Sequence, residues 1–317
     1  MTLSRSFGAR SALRLAAAML LVAVTAHAAA AQRGQGRRVS RDARAELDTT
    51  FAFDKNGTVT VNVPNGDVVI AGTTGNQIRV RAKSENNDLR LDVSGSRVMI
   101  QTSNHEGGAE LSVPQGVRVI VQSRSGDVTI HGTHGEVEVH ATSGDINIDD
   151  VVGRLDVGNL SGDITVSNLA GDGDVSTTGG DVKLTNVRGN LGIGTVSGEI
   201  DLRGITAKNV RARTTSGDVT YDGLIDPTGR YEFATHSGDV RLHIQRDANA
   251  QLTVSTWNGS IDSDFPITLR PGEHPIGSES SKRFTFEIGG GAARVTAETF
   301  SGDIAISSNG RGASVRP

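Results

Sequence analysis

The chain of 317 residues has no cysteine, seven prolines and an aromatic content of 3 %. Without cysteine no disulfide can staple the fold, and a lipoprotein is excluded because its lipid is attached through a cysteine. With so few rings the interior must be filled by small aliphatic side chains, which suits a thin body rather than a broad one. After residue 31 no stretch is long and apolar enough to span a bilayer as a helix, and no room is left for a C-terminal barrel domain. Familiar catalytic signatures are missing too. Neither Gly-x-Ser-x-Gly, nor a phosphate loop, nor His-Glu-x-x-His occurs.

Basic charge is in short supply once the start of the chain is set aside. Residues 1–31 carry Arg5, Arg10 and Arg14, an apolar run from Leu15 to Val24 and small residues up to Ala31, which read as a secretory signal. Their removal takes three of 32 basic residues and no acid, leaving 29 against 36. An acidic exported chain argues against nucleic acid as a partner. Residues 32–45, with Arg33, Arg37, Arg38, Arg41 and Arg44, read as a flexible basic leader, and residues 308–317 as a disordered tail. The folded body is expected over residues 46–307.

Glycine, by contrast, is plentiful at 40 residues, and it is ordered. From Gly126 to Gly198 it returns every ninth residue, through Gly135, Gly144, Gly153, Gly162, Gly171, Gly180 and Gly189. Alternate units carry a fuller signature, as in Ser125-Gly126-Asp127-Val128, Ser143-Gly144-Asp145-Ile146 and Ser161-Gly162-Asp163-Ile164. The structural repeat is therefore 18 residues in two unequal halves. After each glycine the apolar residues alternate, Val128 and Ile130, Val137 and Val139, Ile146 and Ile148, which is the pattern of a strand with one buried face. Glycine supplies the positive φ of a tight corner. A helix loses on two counts, since repeated glycine costs about 1 kcal/mol each in a helix interior and β-branched residues hold the apolar positions.

The same corner recurs at Asn65-Gly66-Asp67-Val68, Ser216-Gly217-Asp218-Val219, Ser237-Gly238-Asp239-Val240, Asn258-Gly259-Ser260-Ile261 and Ser301-Gly302-Asp303-Ile304. Spacings grow from 18 to 19 to 21, and the last gap of 43 reads as two 21-residue coils with a small insertion. Larger loops are expected around Asp226-Pro227-Thr228-Gly229 and from Pro266 to Pro275. The fold expected is all-β, a right-handed parallel β-helix, or β-solenoid, with 18–21-residue coils.

The acids at the corners, Asp127, Asp145, Asp163, Asp181 and Glu199, continue with Asp218 and Asp239. Coils stacked at about 4.8 Å would line these up as a ladder of like charges. The simplest way to hold it is for each carboxylate to accept backbone N–H groups of its own turn; the alternative is a row of weak Ca²⁺ sites, with no other cofactor implied. Calcium-binding nonapeptides carry a doubled glycine that is absent here, and only Gly171-Asp172-Gly173-Asp174-Val175 approaches it. His131, His134 and His140 read as solvated surface residues rather than zinc ligands. The aromatic residues lie mostly toward the C-terminus. Most read as end caps and fillers of wider coils, with Tyr231, Trp257 and Phe265 as a candidate ligand-binding patch.

The Ser-Gly-Asp-Val/Ile corners, together with Val59-Thr60-Val61 leading into Asn65-Gly66-Asp67-Val68-Val69-Ile70, resemble the bacterial putative-adhesin family of β-strand-repeat domains of unknown function, over roughly residues 50–307. The resemblance implies a right-handed β-solenoid of the cell envelope and no set of catalytic residues. The reading adopted is an exported, non-enzymatic binding or scaffold surface, periplasmic or on the cell exterior. Its partners would be envelope glycan, a surface polymer or another protein, with self-association through the solenoid ends as a further route. An envelope sensory or regulatory protein, or a polysaccharide-acting β-helix enzyme, stays open as an alternative.

Overall fold

The strand from Val128 to His131 lies between two parallel neighbours, Val68–Thr73 on one side and Ile146–Val152 on the other. The register then advances by one repeat at each step, Val128 to Ile146 to Ile164 to Val182 to Ile200. A second ladder runs Val119, Val137, Leu155, Gly173, Leu191 at the same interval. These two faces are the two halves of each coil, and their inward Val, Ile and Leu side chains are buried, each contributing about 1.5–3 kcal/mol by leaving water. Where the repeat places Gly173 at an inward position, Leu169 and Leu191 come within 3.1 Å of the site its Cβ would occupy and fill the space. The structure is a computed structural model that describes residues 37–38, 45–85, 88–103, 107–266 and 282–308. Within these residues there are strands and no helices, so the chain is an all-β solenoid. The expected signal segment, most of the basic leader and the tail beyond Ser308 lie outside the described residues, as does the loop past Pro266.

One corner is made by the Ser-Gly-Asp units. Gly162 has φ +116°, and a Cβ there would sit 2.2 Å from the Gly144 carbonyl oxygen in the coil before it, so both the backbone and the packing demand glycine. The opposite corner uses a different device. Gly132, Asp150, Asn168, Asn186 and Gly204 all have φ between +54° and +67°, a left-handed conformation that Asn and Asp tolerate. Asn168 Nδ2 donates to Asp149 Oδ1 at 2.9 Å, and Asn186 Nδ2 to Asn168 Oδ1 at 3.3 Å, so this corner is laced from coil to coil as well.

Beneath the Ser-Gly corner runs a buried polar column. Thr195, Thr214, Thr235, Thr299 and Thr256 are each less than a tenth exposed. Their hydroxyls donate to the carbonyls of Gly180, Gly198, Gly217, Gly238 and Gly302 respectively. A tight turn leaves carbonyls without ladder partners, and at these five corners the threonine two residues before the Ser-Gly or Asn-Gly supplies the missing donor, a part that Asn159 plays for the Gly144 carbonyl.

At both ends the coils do not stack in sequence order. The strands Thr58–Asn65 and Val68–Thr73 make the first coil, yet they are held between residues 97–114 on one side and 118–131 on the other. At the far end, Ala293–Ser301 and Ile304–Ser308 form the last coil of the chain, and they are wedged between residues 230–244 and residues 250–263. The gap between Gly259 and Gly302 is therefore not two successive coils: it holds the strand Lys282–Ile288, which returns antiparallel along Ala250–Asn258. Antiparallel strands close the other end too, with Gln77–Ser84 on Gly107–Pro114, Ala45–Ala52 on Gln77–Ser84, and Arg90–Ser94 on Arg97–Gln101. The large side chains Tyr221, Tyr231, Phe233 and Phe286 are buried in the later coils, where the longer repeat leaves room for rings.

Candidate functional site

The corner acids come into register as the repeat requires, and their partners are in the next coil rather than in their own turn. Asp127 Oδ1 accepts the Asp145 amide at 2.9 Å, Asp145 the Asp163 amide at 3.0 Å, Asp163 the Asp181 amide at 2.8 Å, and Asp181 the Glu199 amide at 2.8 Å. The row extends beyond the acids read from the repeat. Asp67 holds the Asp127 amide at one end, and Asp239 holds the Asp303 amide at the other. These charge-assisted hydrogen bonds offset the repulsion along the row. At Asp218 burial works against ionisation, but the Asp239 amide and the Arg241 guanidinium prevail and hold the carboxyl below its usual range. Arg241 sits between Asp218 Oδ2 at 2.6 Å and Asp239 Oδ2 at 2.7 Å. Among the described residues no three His, Cys, Asp or Glu side chains gather closely enough to hold a metal ion. His134 instead meets Gln115 and His140 meets Glu138.

The three aromatics read as a ligand patch are not together. Tyr231 is buried, its hydroxyl donating to the Ala207 carbonyl and accepting the Asp226 amide at 2.8 Å, and burial pushes that hydroxyl's pKa up. Its ring packs 6.0 Å from Tyr221, which in turn lies 4.9 Å from Phe233. Phe265 is also buried, its amide held by the Ser263 hydroxyl at 3.2 Å. Only Trp257 of the three faces solvent, with 48 % of its surface exposed.

Trp257 has different company. It occupies the outward position between the buried threonine and the Asn-Gly corner, and the equivalent residues in neighbouring coils are Phe300 and His236. The three rings stack: His236 on Phe300 at 4.8 Å between centroids and 12° between planes, Phe300 on Trp257 at 6.0 Å and 7°. Stacking at these spacings follows from the ladder, whose strands lie about 4.8 Å apart. Phe300 reaches its place only because the last coil is inserted between the two that precede it in sequence.

The same position in the earlier coils carries Thr215, Val196, Thr178, Leu160 and Thr142, all exposed. Bridges between Ser143, Ser161, Gly179, Ser197, Ser216 and Ser237, continued through Ser301 and Asn258, put these residues on successive rungs. Eight rungs, roughly 34 Å at strand spacing, thus present an outward ridge with no formally charged carboxylate, ammonium or guanidinium group on it. Leu160, Val196, Phe300 and Trp257 are each about half exposed. A row of such residues on a monomer's surface marks an interaction site more often than chance placement does. Sequence reasoning missed this ridge. The signal was there in Thr-x-Ser-Gly at Val196, Thr215, His236 and Phe300, where x is the ridge residue and the threonine before it the buried donor.

One groove lies on the second face, with a volume of about 490 Å³, beside Asp172, Asp174, Gly192, Arg211, Arg230 and Glu232. The ionic groups at one end of it are engaged with one another. Glu232 receives Arg211 at 3.0 Å, Arg213 at 3.3 Å and Arg230 at 2.9 Å, with the Arg230 hydrogen bond doing most to hold its carboxyl below the usual range. Asp172 Oδ1 accepts the Asn190 amide at 2.8 Å.

The sequence pattern of the Toastrack DUF4097 family matches residues 58–307. No curated protein matches the chain. Among solved structures, the chain is similar to a putative adhesin from Bacteroides fragilis NCTC 9343, at 12 % identity and a TM-score of 0.42, over 83 % of this chain and 97 % of that one. It is similar also to a putative adhesin from Parabacteroides merdae ATCC 43184, at 10 % identity and a TM-score of 0.35, over 82 % and 95 % of the two chains. A putative cell adhesion protein from Clostridium sporogenes ATCC 15579 shares 10 % identity at a TM-score of 0.23, over 84 % and 100 %.

Proposed function

We propose, from the premise that this chain belongs to the Toastrack DUF4097 family, that it is an exported, non-catalytic scaffold that binds an extended polymer of the cell envelope along one edge of its solenoid. The observation that carries this reading is the outward ridge from Thr142 to Trp257, which places one exposed uncharged residue on every rung and half-exposed apolar ones at Leu160, Val196, Phe300 and Trp257. A solenoid offers the same chemistry at a fixed step, which suits a partner that itself repeats. The rungs are tied to their neighbours by ladder bonds throughout and by the acid row and the threonine column along most of the length, so the ridge is held rigid before any partner arrives. Rigidity of that kind lowers the ordering cost of binding. The arginine-rich, apolar start of the chain supports export.

The test is co-sedimentation of the protein with isolated cell-wall sacculi and with an extracted surface-polymer fraction. Wild-type protein is expected in the pellet, and a Trp257→Ala/Phe300→Ala double variant in the supernatant with an unchanged far-ultraviolet spectrum. Equal partitioning of the two proteins, or no sedimentation of either, sinks the reading.

A further inference from the structure

We infer that the ridge takes an uncharged polysaccharide chain, with sugar rings resting on the His236–Phe300–Trp257 stack and sugar hydroxyls meeting the serine row beside it. The inference rests on the polymer-binding reading above and deepens it by naming the ligand's chemistry.

Three observations converge. The first is the geometry of the rings. Parallel rings touch at about 3.5–4 Å between carbon atoms, yet the Phe300 and Trp257 centroids are 6.0 Å apart at 7°. The rings are therefore displaced sideways, like overlapping tiles, and part of each face stays open. This agrees with the half-exposure of both. An open aromatic face on a rigid backbone suits the C–H face of a pyranose, which is flat, weakly apolar and needs no charge.

The second is what flanks the rings. Ser197, Ser216, Ser237 and Ser301 are exposed and sit one residue past the ridge in successive coils, with Asn258 on the rung of Trp257. A line of small donors and acceptors beside a line of apolar surface has the same division as a sugar, whose hydroxyls ring an apolar face. The third is charge. No formally charged group stands on the ridge itself for eight rungs; Arg213 and Glu298 lie two residues before it on single rungs, Lys282 donates to the Gly259 carbonyl at 2.9 Å beside the rung of Trp257, and the charge that recurs from rung to rung is the acid row just past the corner glycines. An acidic polymer would meet only the isolated cations Arg213 and Lys282 beside the ridge, against a row of carboxylates that recurs along it. An uncharged chain meets no such penalty. The repeat also fits, since an extended polysaccharide advances from sugar to sugar by nearly one strand spacing, so successive sugars find successive rungs.

Trp257 is the sole tryptophan of the chain, so its fluorescence reports directly on the site. The full chain is titrated with cellohexaose, with chitohexaose and with an oligogalacturonate. The expected result is a saturable shift and intensity change with at least one of the two neutral oligosaccharides and none with the acidic one. Phe300→Ala, which keeps the reporter, is expected to weaken binding about tenfold, the scale of one lost aromatic stacking contact. Val196→Lys, at an exposed site away from the rings, places a hydrated cation in the path of the chain and is expected to weaken binding several-fold while leaving the fold intact. The inference is overturned if neither neutral oligosaccharide changes the spectrum at millimolar concentration. It is overturned also if the oligogalacturonate binds better, or if neither substitution alters affinity. Should sacculi or the extracted polymer sediment the protein while the neutral oligosaccharides fail, the ligand class is wrong and the scaffold reading stands; failure of both removes both.

Discussion

The middle of the solenoid and its two ends obey different rules. From Val137 to Leu202 each coil pairs with the one before it and the one after it, and the register is the 18-residue repeat. At the ends the terminal coils are slid in beneath their neighbours, residues 58–73 under 97–114 and residues 293–308 under 250–263. The middle is made of local contacts that can propagate one rung at a time. The ends need loop closures over 60 residues from Gly66 to Gly126 and 43 from Gly259 to Gly302, and those are paid only when the whole coil docks. Cooperativity is thus concentrated at the ends, and so is the aromatic stack, which exists only through an out-of-order insertion.

Removing the last coil is the strongest way to break this comparison. A chain ending at residue 292 loses the buried Val295, Ala297, Ile304 and Ile306, and the faces that flanked them are uncovered. Hydrogen exchange is expected to show lost protection over residues 230–263 and retained protection over residues 137–200. If residues 230–263 stay protected with the melting temperature unchanged, the two flanking coils have closed on each other and the insertion is dispensable.

A pair of glycines sharpens the account of the middle. Gly162→Ala places a Cβ 2.2 Å from a carbonyl oxygen at φ +116°, and a loss of about 3 kcal/mol is expected by urea unfolding. Gly194→Ala meets nothing within 4 Å and is expected to change stability by at most about 0.5 kcal/mol. Comparable losses at both sites would mean that glycine is used for something other than the corner.

Two buried threonines, Thr235 in the column and Thr133 beside Gly132 at the opposite corner, separate a satisfied hydroxyl from an unsatisfied one. Thr235 donates to the Gly217 carbonyl at 2.9 Å, whereas the Thr133 hydroxyl is buried with no hydrogen-bond partner among the described residues. Thr235→Val is expected to cost about 1 kcal/mol and Thr133→Val to gain a similar amount. Thermal melts of the two variants should move in opposite directions, and a shared direction would remove the column's role.

The smallest effect is that of acid. Burial opposes ionisation at Asp218, but the Asp239 amide and Arg241 outweigh it; at Asp303 the Ser260 amide and hydroxyl lower the pKa. A folded-state pKa below the unfolded one means that the unfolded chain binds more protons in between. This stabilisation is present above the usual aspartate range and is lost as pH falls through the folded values, below about pH 4. Asp218→Asn is expected to flatten that slope in melts taken from pH 5 to pH 3, and an unchanged slope would show that the acid row does not couple to folding.

How far the sequence could be read follows the same division. The glycine comb and the alternating aliphatics were enough for the coil, its length and the corner at Gly126, Gly144 and Gly162, and for the family, because a local repeat imposes its register on its neighbours. The acid row was legible as a row. Its bonding was not, since an Asx-turn and a bond to the next coil have the same local sequence. Tyr231 and Phe265 were misplaced because burial in a widened coil has no local signature, and Asn168 and Asn186 went unnoticed because only glycine was sought at corners. The order of the end coils was hidden for a deeper reason. Nothing in Ser301-Gly302-Asp303-Ile304 says which of two equivalent corners it will lie against, and that choice is made by the return strand Lys282–Ile288.

The antiparallel strands at the two ends also govern what the molecule can be joined to. An incoming chain extends a parallel ladder only by meeting an edge that runs in its own direction. Here Ala45–Ala52 and Lys282–Ile288 turn the polarity around, while the parallel edge Ile261–Ser263 is three residues long. Like a zip fastener whose last teeth face the other way, the ladder among the described residues offers a second copy its own parallel repeat only along that three-residue edge.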